Sequence, residues 1–178
     1  MVQLIRLFGS RRLMKIIQFF LDNSLQEFSQ TEIIRKTRIA KGTAVTNLRL
    51  LVKDKIVHLK RIGVTNLYSL NRESNIVKEL KKINTLLKFD KINNLKENIE
   101  VYLFGSAARG ENTENSDIDL LIIGKTEKRK IHNFFERYSK KLGKPIKIQL
   151  FTAIDWSRMQ RSDKAFFERV EKDKIKLL

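Results

Sequence analysis

The sequence predicts an α+β protein with a mainly helical N-terminal part and a C-terminal part that contains a small mixed sheet. Three patterns predict this class. Residues 1–72 combine helical apolar periodicity with two short strand-like segments, and residues 72–98 hold a helical pattern without Pro or Gly. Residues 101–151 carry three apolar strand segments. We therefore expect domains over residues 1–72 and 96–178, joined by a linker helix over residues 73–95.

The composition predicts a soluble protein and limits its chemistry. Of 178 residues, 42% are hydrophobic and 32% are charged, and none is cysteine. The chain can therefore form neither a disulfide nor a thiolate metal site. No apolar run approaches about 18 residues, and three arginines interrupt the first twelve residues, so we expect neither a membrane span nor a signal peptide. We expect a cytoplasmic location.

The strong positive charge predicts a polyanionic partner. The formal net charge is +17, and residues 1–72 hold 14 Lys and Arg against 4 Asp and Glu. Residues 73–178 hold 23 against 16, so the shorter part carries the larger excess. This distribution favours nucleic-acid binding by the first 72 residues. Codon bias of an AT-rich genome is the alternative source of part of the lysine content.

The N-terminal part is predicted to be three helices followed by a β-hairpin. Ser10 and Ser29 precede apolar helical patterns as N-caps, and Glu32 follows Ser29 by three residues, as in a capping box. The predicted elements are helices over residues 10–23, 29–37 and 42–53, a tight turn over residues 38–41, and strands over residues 56–61 and 66–70.

This order resembles the winged helix-turn-helix regulators of the MarR and ArsR type. The resemblance covers residues 10–71 and is carried by SQTEIIRKTRIAKGTAVTNLRLLVKDKIVHLKRIGVTNLYSL, residues 29–70. It implies that the third helix enters the DNA major groove and that the hairpin wing follows the phosphate backbone. Two positions depart from the pattern: Ala40 replaces a capping Ser, and Lys55 replaces a Gly after the third helix.

The resemblance also implies which side chains contact double-stranded DNA. Asn47 would pair with adenine, and Val45 would touch a thymine methyl group. A merely solvated charged face, or a protein-interaction module, is the alternative. The predicted DNA-binding residues are Lys41, Thr43, Thr46, Asn47 and Arg49 on the third helix, and Lys60 and Arg61 on the wing.

The linker carries one long helical pattern to about Phe89, with a shorter helix expected around residues 91–96. Its apolar residues recur at helical spacing; they are Ile76, Leu80, Ile83, Leu86 and Leu87. Such a stripe serves either packing between the two parts or homodimerisation, and both stay open.

The candidate metal- and phosphate-binding residues lie between residues 101 and 124. A strand over residues 101–104 ends at Gly105-Ser106, and a polar loop leads to a second strand that begins at Asp117. Because strand side chains alternate, Asp117 and Asp119 share one face. Paired carboxylates need a compensating cation such as Mg²⁺, and the Gly-Ser turn offers N–H groups and a hydroxyl to a phosphate. Together they indicate phosphoryl or nucleotidyl transfer.

The remaining residues are predicted to complete the C-terminal sheet and its helices. A helix is expected over residues 127–142 and a third strand over residues 146–151. Thr152 is expected to cap a short helix that carries Trp156, and Ser162 to cap the last helix.

The segment LFGSAARG followed by SDIDLLI resembles the minimal nucleotidyltransferases of the DNA polymerase beta superfamily. The resemblance covers about the last 80 residues. It implies a nucleoside triphosphate such as ATP as substrate or ligand, with Mg²⁺ or Mn²⁺ held by Asp117 and Asp119, which are also the implied catalytic residues. The implied nucleotide-binding residues are Gly105, Ser106, Arg109 and Ser116.

One departure leaves turnover open. The superfamily places a third carboxylate, the general base, on the strand after the connecting helix, and this position falls on Gln149, which accepts no proton. Two functions follow. The first is a nucleotidyltransferase acting on an unknown acceptor, such as a protein or toxin-like partner. The second is a transcription regulator with a catalytically weak or inactive, nucleotide-binding transferase-like domain.

Overall fold

The chain divides into two compact units, Met1–Lys78 and Glu79–Leu178. The computed structural model describes residues 8–92, 95 and 97–178. No helix in these described stretches is long and apolar enough to cross a membrane.

Within residues 8–74, the structure describes helices α1 to α3 and a three-stranded antiparallel sheet. The sheet order is β1-β3-β2, in which β2 and β3 are the predicted hairpin and β1 is a short strand that the sequence did not indicate. The elements are α1 Arg11–Asp22, β1 Glu27–Ser29, α2 Gln30–Thr37, α3 Lys41–Lys53, β2 Val57–Ile62 and β3 Thr65–Leu70.

Local hydrogen bonds fix the helix boundaries of the first unit. The Ser10 hydroxyl accepts from the Leu13 N–H, and Ser29 and Glu32 form the predicted capping box. Ala40 offers no side-chain cap to α3, and Lys55 adopts a left-handed φ of 55° where a glycine would pay no steric cost. The apolar faces of the helices are buried, including Leu13, Ile16, Phe20, Ile33, Leu48 and Leu51.

The segment predicted as a linker contains a helix, α4 Asn75–Leu86, followed by a 3₁₀ turn over Leu87–Phe89. It begins before the boundary at Lys78 and continues into the second unit. Leu80 is buried, whereas Ile76, Ile83 and Leu87 are exposed. The shorter helix expected around residues 91–96 falls partly outside the described residues.

The second unit is a four-stranded mixed sheet with helices on both faces, which confirms the predicted α+β class. The strand order is β6-β5-β4-β7; β5 and β6 run parallel, and the other neighbours are antiparallel. The elements are β4 Ile99–Phe104, α5 Gly105–Ala108, β5 Ile118–Gly124, α6 Lys128–Leu142, β6 Ile146–Phe151, α7 Ala153–Ser162, α8 Lys164–Asp173 and β7 Ile175–Lys176.

The alternation of β5 divides its side chains between two cores. Ile118, Leu120 and Ile122 pack with residues of α6, while Leu121 packs with Trp156 of α7 and Val170 of α8. Asp119 lies two residues before Leu121 on the same strand, so its side chain is on the same face, the α7–α8 side of the sheet. That side carries the candidate site.

Two details at the C-terminal end differ from prediction. Asp163, not Ser162, caps α8, because its carboxylate accepts from the Phe166 N–H at 3.0 Å, whereas Ser162 still belongs to α7. The short strand β7, which pairs with β4, was not predicted, because two residues are too few to show a periodicity.

Candidate active site

The candidate site is a cavity of about 430 Å³ where β4 ends and β5 begins. The β4–β5 register places Phe104 opposite Asp119, so the Gly-Ser turn after β4 meets the second aspartate directly. The cavity volume lies in the range of small-molecule sites. Four predicted site residues line it together, along with four others; the lining is Phe104, Gly105, Ser106, Arg109, Asp119, Gln149, Phe166 and Arg169.

Gly105 permits the close approach of Asp119. Its φ is +71°, and a Cβ added there would lie 2.5 Å from the Asp119 Oδ2 atom and 3.4 Å from its Cγ atom. Any side chain at position 105 would therefore push the carboxylate away. The glycine is required both for its backbone conformation and for this contact.

We expect Gly105→Ala to lower stability and disturb the site more than Gly143→Ala does. Both glycines have a left-handed φ, +71° and +61°, but a Cβ at Gly143 would meet nothing within 4 Å. Each variant should lose about 1–2 kcal/mol from the left-handed backbone alone. The additional loss in Gly105→Ala then reports the clash with Asp119. Denaturant unfolding and Mg²⁺ binding measure the two effects; equal stability and equal Mg²⁺ affinity in the two variants would refute this role of Gly105.

The two aspartates have different electrostatic surroundings. Burial raises the pKa of Asp119, as does the neighbouring Asp117, while the Lys147 and Arg109 cations oppose the rise. Asp117 pairs with the Lys147 ammonium at 2.5 Å, and this hydrogen bond raises the pKa of Lys147. The β5–β6 register places Lys147 directly beside Asp119. Lys147 thus offsets part of the negative charge of both carboxylates.

The donor set fits a magnesium ion that also binds substrate phosphates. Asp117 and Asp119 supply hard oxygen ligands, and Mg²⁺ in nucleotide enzymes uses one or two carboxylates, with water and phosphate completing the octahedron. Among the described residues, no group of three or more His, Cys, Asp or Glu side chains could hold a metal. The ion would therefore depend on the phosphates, and Asp117 would have to release Lys147.

Arg109 and Ser116 are both engaged within the protein. Arg109 donates to Glu111 at 2.8 Å and to Asp173 at 3.3 Å, and these bonds raise its pKa above the ordinary value. The Ser116 hydroxyl accepts from the Thr113 N–H at 2.8 Å and so shapes the loop before β5. Arg109 lines the cavity, whereas Ser116 and the predicted metal ligand Asp117 are not part of the described lining.

Gln149 lies where the sequence placed it, on the strand beside β5. It pairs with Leu121 in the parallel register, two residues beyond the pair of Lys147 with Asp119. Paired residues of neighbouring strands share a face, so Gln149 and Asp119 project to the same side, and both line the cavity.

Sequence reasoning missed Lys147, Phe166 and Arg169. Strand alternation alone could have found Lys147, because it lies two residues before Gln149 and therefore on the same face. From the sequence, Phe166 reads only as an apolar core residue of the last helix, and no local pattern connects Arg169 with Asp119.

Most of the predicted DNA-binding side chains of the first unit are exposed, but Asn47 is buried. Thr43 is half-buried, and Asn47 is 8% exposed, with its Nδ2 atom lacking a hydrogen-bond partner in the described structure. Asn47 follows Ala44 by three residues and precedes Leu51 by four, so it lies on the inner face of α3. The resemblance placed Asn47 on or near the exposed face of the third helix, and the structure corrects this, because the residue is buried. The exposed residues are Lys41, Thr46, Arg49, Lys60 and Arg61.

Comparison with known proteins gives three results. The family model "Nucleotidyltransferase domain" matches residues 72–176. A Methanocaldococcus jannaschii protein named "Putative protein adenylyltransferase MJ0141" is 47% identical over 72 residues, which are 37% of this chain and 66% of that protein, slightly less than two thirds of its length. The crystal structure of a "putative nucleotidyltransferase" from Sulfolobus solfataricus aligns with a TM-score of 0.33 at 22% identity, covering 58% of this chain and 88% of that one.

Proposed function

Because the chain belongs to the nucleotidyltransferase domain family, we propose that it transfers a nucleoside monophosphate from a nucleoside triphosphate to an acceptor group. The observation that carries the proposal is the single cavity that Asp119 shares with Gly105 and Ser106. In this cavity the Asp119 carboxylate, which can bind a cation, lies against the Gly105-Ser106 turn, which can bind phosphate. The contact is so close that position 105 must be glycine.

In the proposed reaction, an acceptor hydroxyl oxygen attacks the α-phosphorus atom of the triphosphate. The bond between that phosphorus and the α,β-bridging oxygen breaks, and pyrophosphate leaves with the electron pair. The Gly105-Ser106 turn orients the phosphates, and Asp117 and Asp119 would hold Mg²⁺ or Mn²⁺. When bound, this ion supplies Lewis-acid stabilisation of the phosphate charge. The acceptor proton passes to solvent, since the Gln149 amide accepts no proton.

The proposed nucleotide is ATP, and the proposed acceptor is a protein hydroxyl group. This assignment is supported by the name of the archaeal relative, a protein adenylyltransferase, at 47% identity over 72 residues. A toxin-like partner protein is one acceptor of this kind.

A second candidate function is a nucleotide-sensing regulator without turnover, and the position of Gln149 in the cavity wall favours it. Incubation of the full chain with Mg²⁺, ATP labelled at the α-phosphate and a lysate of the source cell separates the two functions. The enzyme labels a protein band, whereas the sensor retains nucleotide without labelling. A chain that does neither contradicts both.

For the first unit, we propose a winged helix-turn-helix that binds double-stranded DNA. Three helices and a hairpin in the expected order support this, together with the charge excess of residues 1–72. Lys41 and Arg49 are exposed on α3, and Lys60 and Arg61 are exposed on β2. A winged helix would place α3 in the major groove of the DNA and the β2–β3 hairpin along the DNA phosphate backbone.

We expect DNA affinity to fall steeply with salt, because each neutralised phosphate releases counterions. Replacing Lys41 and Arg49 with alanine should weaken binding and reduce the slope of log affinity against log salt by about 2, if each contacts one phosphate. The matched control removes Lys140 and Lys164, which are exposed on α6 and α8. Fluorescence anisotropy of a labelled duplex with the full-length variants measures the slopes; an equal loss in the control would assign the effect to general charge.

A further inference from the structure

Arg169 reaches the candidate active site from a distant part of the sequence. It lies on α8 and lines the same cavity as Ser106 and Asp119. Its guanidinium carbon lies 5.5 Å from the centre of the Phe166 ring. That ring is held by edge contacts with Phe104 and Trp156, at centroid distances of 6.1 and 6.0 Å. A packed aromatic ring thus supports the guanidinium at the cavity wall.

The three cations at the site differ in how they are paired. Arg109 is bound by Glu111 and Asp173, and Lys147 is bound by Asp117. Arg169, in contrast, forms no ion pair with any carboxylate of the described residues. Its five N–H donors therefore remain available to an anionic ligand.

The space beside Arg169 continues away from the aspartates. Arg109 and Arg169 also line a second cavity, of about 580 Å³, into which Lys172 projects from the next turn of α8. A polyanionic ligand that extends from the cavity beside Asp119 into this second cavity would pass Arg169 and end near Lys172. Glu168 and Asp173 line this second cavity too, but Asp173 is already paired with Arg109.

We propose that Arg169 binds the β- and γ-phosphates of the nucleoside triphosphate and stabilises the departing pyrophosphate. This rests on the proposed transferase function. When the bond from the α-phosphorus to the bridging oxygen breaks, the electron pair and an added negative charge stay on pyrophosphate. A planar guanidinium matches two phosphate oxygens at once, which a lysine ammonium does not. Arg169 therefore sets the preference for a triphosphate over a monophosphate.

The test compares ATP, AMP and inorganic pyrophosphate binding to the full chain by calorimetry. Arg169→Gln should weaken ATP and pyrophosphate by about 10- to 100-fold, as expected for the loss of charge-assisted hydrogen bonds, and leave AMP affinity unchanged. Arg169→Lys should restore part of the loss. The matched control, Arg158→Gln, removes an exposed arginine of α7 that pairs with Asp155 outside the cavity, and it should bind like the wild type.

Each other outcome overturns a different claim. An equal loss of AMP and ATP affinity in Arg169→Gln, or no loss of either, overturns the role of Arg169 while wild-type ATP binding still supports the transferase site. A wild-type chain that binds none of the three ligands overturns the site itself, and the role of Arg169 with it.

Discussion

Replacing both Asp117 and Asp119 with asparagine is expected to abolish Mg-ATP binding and to lower nucleotidyl transfer by at least about a hundredfold. The reason is that a bound divalent cation contributes several kcal/mol of charge stabilisation, and each 1.4 kcal/mol is about a factor of ten. Calorimetry with ATP and Mg²⁺ measures the binding. Asp90→Asn with Asp155→Asn is the control, since both are exposed aspartates outside the cavity. If the site variant binds Mg-ATP as the wild type does, the metal ligands are misassigned.

The loss of binding should not come from unfolding. Burial raises the pKa of Asp119 above the ordinary value. The ionised Asp119 carboxylate therefore lowers folding stability by an amount that grows as the pH rises above the ordinary pKa and is complete above the raised pKa. Below the ordinary pKa this cost is absent. At neutral pH in EDTA, Asp119→Asn should therefore melt no lower than the wild type. Asp117→Asn differs from Asp119→Asn because it removes the ion pair between Asp117 and Lys147. A large drop in melting temperature for Asp119→Asn would contradict the assigned burial cost.

Gln149→Asp is expected to accelerate transfer by about 10²–10⁴-fold, the usual gain from a positioned general base. The register favours this outcome, because Gln149 shares the face of Asp119 on the adjacent strand and lines the same cavity. Single-turnover rates with Mg²⁺ and α-labelled ATP measure the gain. Gln149→Asn is the matched control, since asparagine has the size of aspartate and cannot accept a proton.

The same variant makes a prediction about stability. A third carboxylate beside Asp119 adds repulsion without metal, so Gln149→Asp should melt lower than Gln149→Asn in EDTA and recover when Mg²⁺ is added. Lys147, two residues earlier on the same face, will offset part of the repulsion. Identical melting of both variants with and without Mg²⁺ would show that position 149 does not face the metal site.

The local patterns of this sequence predicted much of what the structure contains. Strand alternation separated Asp119 from Ile118 and Leu120, and the chemistry of Ser29 and Glu32 located the start of α2. These features depend on residues close in sequence. The sequence predicted the strand-Gly-Ser turn and Asp119 on the next strand, but only the structure shows that a Cβ at Gly105 would lie 2.5 Å from the Asp119 Oδ2 atom.

The missed features depend on packing between distant segments. The pairing of Lys147 with Asp117 requires the parallel register of β5 and β6, which no single strand reveals. Arg169 lines the same cavity as Asp119 only because α8 packs on the same sheet face as Leu121. The winged helix-turn-helix resemblance named Asn47 as a base-contacting residue, but the helical period of α3 turns it inward. Polarity predicts exposure poorly where one residue falls between two core positions.

The measurement that tests the central claim most directly compares ATP labelled at the α-phosphate with ATP labelled at the γ-phosphate. The full chain is incubated with each in the presence of Mg²⁺ and the acceptor-containing lysate, alongside the variant that carries both Asp117→Asn and Asp119→Asn. A nucleotidyltransferase transfers label from the α position alone, and the variant transfers none. Label arriving from the γ position, or equal α-labelling by the variant, would contradict nucleotidyl transfer at this site.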